Sequence, residues 1–262
     1  MSLVKTPYRS GIGNRICLRG AMRVLLFVGT LLLIVSAGSS FAHAQSIDRH
    51  SSILPTVSMN QLLAPAKALR AVARARKDIA AGHLESAQKE IARALDAAPR
   101  FALAKVMQGA IDVQNDKYEG AATLFQQAIN DDPGLGAAYV GMAVVMIHQG
   151  RFQSALPLLD RAEGLLPGAW FVHFAKASAQ LQMGNTVAAL NQAEYAERIA
   201  GNNSEERSGV CYLRAMISIH MSDLHSAREH LAEAVARNSH GDYAALAKAE
   251  LERLQPVLIA GR

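Results

Sequence analysis

Ala87, Ala121, Ala155 and Ala189 follow one another every 34 residues, and Pro99, Pro133 and Pro167 keep that spacing twelve residues behind the first three. A fixed period of this length constrains the fold more than composition does, because it marks an array in which one helical unit is copied and stacked. Ala94, Ala128, Ala162 and Ala196 stand seven residues after those alanines, and Ala75, Gly109, Ala143 and Ala177 stand twelve before them. Small residues at fixed places predict close helix crossings, since side chains no larger than a methyl let two backbones approach. Gly82, Gly150 and Gly184, with Asp116 in the second unit, lie five residues before the alanines and predict the turn between two helices. The prolines predict where the second helix stops. Helix pairs are therefore expected at about 68–97, 102–131, 136–165 and 170–200.

A fifth pair follows out of step. Ala215, Ala227 and Ala234 repeat the pattern, but Ala227 lies 38 residues after Ala189, so four extra residues must be placed. The polar stretch from Gly201 to Glu206 is the expected site, as an insertion in an exposed connection costs little. Pro157 falls inside the second helix of the third unit, near its start, and allows a mild bend. Asp242 to Gln255 reads as a last helix that caps the array, with Tyr243, Leu246, Leu251 and Leu254 forming its apolar stripe.

These residues resemble the tetratricopeptide repeat (TPR) family over about 68–240. Its unit has small residues at the eighth and twentieth places, alanine at the twenty-seventh and proline at the thirty-second. The resemblance implies an all-α, right-handed superhelix, an α-solenoid of about five helix-turn-helix repeats (68–101, 102–135, 136–169, 170–203 and 208–240) closed by a capping helix and tail over 241–262. Departures are Ala71 and Lys105 where an early aromatic is usual, with Tyr139 the nearest match, and Gly201 and Ser239 in place of closing prolines.

Charge enters because the net of +5 first suggests a nucleic-acid partner. Of 27 basic side chains, Lys5, Arg9, Arg15, Arg19 and Arg23 precede residue 45, leaving 22 against 22 acidic ones, so the rest of the chain is neutral and no nucleic acid is expected. Residues 1–44 have the parts of a secretory signal: basic residues ending at Arg23, an apolar run from Val24 to Ala37, and Ala42-His43-Ala44 before Gln45. Cleavage after Ala44 and a periplasmic or secreted protein without stable membrane insertion are expected, with an uncleaved anchor as the alternative and Met22 as a second start codon. Residues 45–67 read as a linker or N-terminal cap. Cys17 leaves with the leader, and Cys211 is expected to be a buried small hydrophobe.

No catalytic constellation emerges. His220, His225 and His230 are spaced by five, which places neighbours on different helix faces and argues against a metal site. The chain has no Gly-x-Ser-x-Gly elbow, no phosphate-binding glycine loop and no Cys-x-x-Cys. Asp131-Asp132 read as a solvated turn, and Asn202-Asn203-Ser204 is a short glycosylation pattern that arises easily by chance. No enzyme activity, cofactor or metal is expected.

In the TPR family the first helices line the concave face. By that resemblance the face is expected to carry Leu69, Val72, Arg76, Ile79, Leu103, Val106, Val113, Gln114, Val140, Val144, Ile147 and His148, then Phe171, Phe174, Leu181, Gln182, Tyr212, Met216, Ile219 and His220. Val72, Val106 and Val140 stand where some relatives hold a terminal carboxylate, so a carboxylate clamp is not expected. An apolar groove with a polar fringe suits a protein or peptide segment, with Phe171, Phe174 and Tyr212 as anchors. Packing of these residues within the array is the competing reading. The expected function is an exported, non-catalytic interaction scaffold, in assembly or maintenance of a bacterial envelope. A self-associating structural protein is the alternative, and an enzyme a distant one.

Overall fold

A computed structural model describes residue 60, residues 63–200 and residues 204–260, with side chains through Leu254. The leader, its cleavage point, most of the linker and Gly201 to Asn203 lie outside the described residues. The described residues form eleven α-helices: α1 (Ala66–Ala80), α2 (Leu84–Ala97), α3 (Ala102–Gln114), α4 (Tyr118–Asp131), α5 (Gly136–His148), α6 (Phe152–Leu165), α7 (Trp170–Gln182), α8 (Thr186–Ile199), α9 (Ser204–His220), α10 (Leu224–Arg237) and α11 (Asp242–Ala260). Each helix packs chiefly on its neighbours in sequence, and first helices also touch across units, α3 on α5, α5 on α7 and α7 on α9. That pattern of contacts is a solenoid.

The turn residues do what their chemistry dictates. Gly82, Gly150 and Gly184 have φ of +76°, +75° and +81°, and Asp116 shares that left-handed conformation at +58°. In each turn the following residue donates its N–H to the carbonyl five back, as in His83 to Asp78 (2.8 Å) and Arg151 to Met146 (2.8 Å), which satisfies a helix-end acceptor. The fifth unit uses Ser222 at +64°, a position the glycine pattern did not reveal. The helix containing Pro157 runs unbroken from Phe152 to Leu165. Pro157 is the sixth residue of that helix, just past the unbonded N–H groups of its first turn, so it removes one intrahelical bond, that to Gln153 O, without ending the helix.

The small residues lie at the crossings. Ala75, Ala87, Ala121, Ala143, Ala155, Ala177, Ala189 and Ala227 are fully buried. A Cβ on Gly141 would stand 2.3 Å from Phe125 Cε1, and one on Gly109 2.9 Å from it, so both glycines make room for that ring. The apolar interior falls into two clusters that meet at α7: Val172, Ala175 and Ala179 belong to the first, Trp170, Phe174, Ala177 and Leu181 to the second.

The four extra residues begin in the stretch where the sequence placed them, but as helix and not as connection. First helices α3, α5 and α7 each have 13 residues, whereas α9 has 17 and starts at Ser204, so the fifth unit gains one helical turn instead of a longer loop. Glu205 and Glu206 occupy the first turn of that helix, where carboxylates offset the positive end of the helix dipole. A polar stretch can thus be helix as readily as connection. Glu205 then reaches the start of α11: its carboxylate accepts a hydrogen bond from Asn238 Nδ2 and from the N–H groups of Asp242 and Tyr243. Burial, with the nearby charge of Asp242, holds the Glu205 carboxyl above its ordinary value.

Candidate functional site: the face shared by the first helices

The residues expected to line a groove divide sharply by exposure. Val72, Val106, Val140, Val144, Phe174, Tyr212 and Met216 expose 4% or less, so they are members of the interior and present no surface to a partner. This corrects the expected apolar groove. The physical reason is twofold. First helices α3, α5 and α7 pack directly on one another, which closes positions such as Val106, Val140 and Val144. The capping helix covers the aromatic end: the Tyr243 ring lies 6.1 Å from Phe174 and 6.4 Å from Tyr212, and a Cβ on Gly209 would stand 2.8 Å from Tyr243 Cε2. Trp170 meets Phe174 edge-on at 5.8 Å, so the expected anchor is held on several sides.

What remains reachable is the fringe. Arg76, Gln114, His148, Phe171 and Gln182 are half-buried and His220 is exposed. Gln114, His148, Gln182 and His220 close the first helices of four consecutive units at one register position, separated by 34, 34 and 38 residues. The His148 ring stacks on Tyr118 with centroids 4.9 Å apart, and Tyr118 Oη donates to Asp116 Oδ1 at 2.6 Å, so the turn of the second unit holds this imidazole. Gln114 Oε1 is buried without a hydrogen-bond partner among the described residues. Burial lowers the Arg76 guanidinium from its ordinary value.

Several polar groups that sequence reading missed serve the stack instead. Asp131 is not a solvated turn residue: its side chain is 11% exposed and accepts from Lys105 Nζ at 2.6 Å and Arg100 Nε at 2.9 Å. Burial pushes the Asp131 carboxyl up, but the two hydrogen bonds and charges outweigh it and hold it below the ordinary value. Its neighbour Asp132 does form the turn, accepting from Gly134 N at 3.1 Å. Lys176, 7% exposed, joins α7 to α6 through Asp160 at 2.6 Å and through Glu163, and His173 Nδ1 meets Gln192 Oε1 of α8 at 2.9 Å. Thirty-four-residue spacing aligns Lys105 with Tyr139 and His173 but carries no information on their partners. Cys211 is buried as expected, and burial, with Glu233 and Glu197 nearby, pushes its thiol up to about 12. Among the described residues no three His, Cys, Asp or Glu side chains gather to hold a metal ion, and no helix is long and apolar enough to cross a membrane.

A chain of stacked helix pairs with closed apolar interfaces and an accessible polar row is an α-solenoid of the interaction-scaffold class. Sequence profiles described as tetratricopeptide repeat match residues 72–136 and 112–169. The fold is similar to the crystal structure of TTC0263, a thermophilic TPR protein of Thermus thermophilus, with a TM-score of 0.59, 17% identity and coverage of 68% of this chain and 98% of that one. It is also similar to PilW, a widely conserved type IV pilus biogenesis factor (TM-score 0.57, 17% identity, 72% and 82% coverage). A third similar structure is MamA from Desulfovibrio magneticus (TM-score 0.51, 14% identity, 68% and 99% coverage). No curated protein matches the sequence. Residues 72–169 thus match tetratricopeptide repeats, and the fold is similar to that of tetratricopeptide repeat proteins.

Proposed function

We propose that this protein is an exported, non-catalytic scaffold that binds a segment of another protein along the row Gln114, His148 and Gln182, with Arg76, at another register position of the first unit, as a further polar contact and Phe171 as the apolar one. The observation that carries this reading is the recurrence of a half-buried polar side chain at one register position of successive units, beside apolar positions that are closed. Amide and imidazole groups repeated along a solenoid can exchange hydrogen bonds with the polar backbone of an extended segment. Export rests on the leader over 1–44, which supports a place in the assembly or maintenance of a bacterial envelope.

Photo-crosslinking tests the surface. A photoreactive residue at His148 or Gln182 should trap a discrete protein, whereas one at exposed Arg161 on α6 should not; equal yields at both would remove the assignment. Light scattering of the chain from Gln45 onward separates the alternative, because a stable oligomer would favour self-association. N-terminal sequencing decides export: a mature protein beginning at Gln45 supports it, and an intact membrane-bound chain makes 24–37 an anchor.

A further inference from the structure

Helix α1 carries Lys67, Arg70, Arg74 and Lys77, spaced by three, four and three residues, which places all four on one side of the helix. All four are exposed, opposite the buried Ala68, Ala71, Val72, Ala75 and Ile79. Later units show what this side ordinarily does. The equivalents of Arg70 are Ala104, Ala138, Val172 and Val210, and those of Lys77 are Ile111, Val145, Ala179 and Ile217; every one is 1% exposed or less. They are buried against the preceding unit, so in α1 the stacking face has been rewritten for another environment.

Solvent alone would be served by Glu, Gln or Ser as well as by cations, yet both replacements are basic, as is Lys67 where the next three units carry Phe101, Leu135 and Ala169. Arg74 stands at a register that is polar in later units too, as Gln108, Lys176 and Arg214. Only Arg74 meets an acid among the described residues, Glu90 at 3.7 Å, and its side chain remains 66% exposed. Leu63, 76% exposed, lies in the segment leading into α1, and Leu69 of α1 is 41% exposed. This end of the array is also the one nearest in sequence to the apolar run at 24–37. A flat, one-signed stripe with aliphatic side chains beside it suits a surface of many negative charges more than a shaped acidic ligand.

We propose that the N-terminal face of α1 is a peripheral docking surface for anionic lipid headgroups, which holds the solenoid end-on against a membrane and leaves the polar row free. The inference is independent of what the row binds and of whether the leader is retained.

The test uses the chain from Gln45 onward, which contains every described helix, in sedimentation with vesicles of phosphatidylglycerol and phosphatidylethanolamine. Binding should be present at low ionic strength, absent with phosphatidylcholine vesicles and lost in high salt. Replacing Lys67, Arg70 and Lys77 together by Glu should weaken partition at least about tenfold. Reversal of the exposed Arg151, Arg161 and Arg228, an equal change in net charge on other units, should change it less than about twofold. Circular dichroism checks folding of both, and the corresponding Gln variants, which only neutralise the stripe, should give a smaller loss in the same order. Equal loss in the two triple variants, or no binding of the unaltered chain to phosphatidylglycerol vesicles, overturns the proposal. Retention on polyglutamate without vesicle binding would assign the stripe to an acidic protein and overturn it as well.

Discussion

At the scale of single residues, the turns and ion pairs show where the chain carries cost. Ser222 sits at φ +64°, a conformation that a side chain with a Cβ adopts with strain and glycine adopts freely. The same turn in three other units already has glycine, so Ser222→Gly should stabilise the protein by about 0.5–1 kcal/mol, read as a higher urea midpoint with an unchanged slope. Asp131 acts in the opposite sense. Its folded-state pKa lies below the ordinary value of 3.8, so its stabilisation is present above that value and is lost as pH falls through the depressed one. Asp131→Asn should cost about 1–2 kcal/mol at pH 7, and the difference from the unaltered protein should vanish in acid below the folded-state pKa. A deficit that persists there would mean that the carboxylate charge is not what Lys105 and Arg100 use.

Among the elements, α9 and α11 are the pair whose relation departs from the repeat. The added turn of α9 exists to reach forward, because Glu205 satisfies N–H groups at the start of α11 that have no partner within their own helix. Gly241 leaves room for this contact: a Cβ there would lie 2.1 Å from Glu205 Oε2, and the carboxylate would have to shift. Glu205→Ala should therefore loosen the capping helix and nothing distant. Amide exchange should speed by roughly fivefold or more over Tyr243–Leu254, in line with about 1 kcal/mol for a lost cap, and stay unchanged in α1 to α5. Uniform acceleration along the array would refute this local role. Because the folded-state pKa of Glu205 is raised, its docking is fully favourable below the ordinary carboxyl value of 4.5 and weakens as pH rises through the raised one.

For the whole molecule, the decisive feature is that two apolar clusters share one helix. Phe174 projects from α7 into the C-terminal cluster, 3% exposed, with Trp170 and Tyr243 against it. Phe174→Ala should destabilise by about 3–4 kcal/mol through loss of buried surface and the cavity left behind, whereas His148→Ala, on the accessible row, should cost under about 1 kcal/mol. Thermal melts of the two variants make the comparison. Similar small shifts would return Phe174 to the surface and reopen the apolar groove.

The helices themselves were legible because each unit repeats its own punctuation: left-handed turn residues, closing prolines and alanines at crossings act within a few residues of where they stand, so the outer ends of the first four helix pairs lie within two residues of their expected spans. The sequence alone thus determined the repeat, the helix pairs, the small crossing residues and the terminal cap. It could not separate lining from interior. A valine on the inner side of α3 and one that packs on α5 share the same helical phase, and only the distance between successive helices makes Val106 and Val140 core. In the same way, the start of α9 is tied to groups more than thirty residues later, Asn238 Nδ2 and the N–H groups of Asp242 and Tyr243, all of which donate to Glu205, and the burial of Phe174 and Tyr212 depended on where Tyr243 came to rest. Local chemistry fixes elements because its forces act over neighbouring residues; accessibility is a property of how those elements close on one another, which no single element carries in its own sequence.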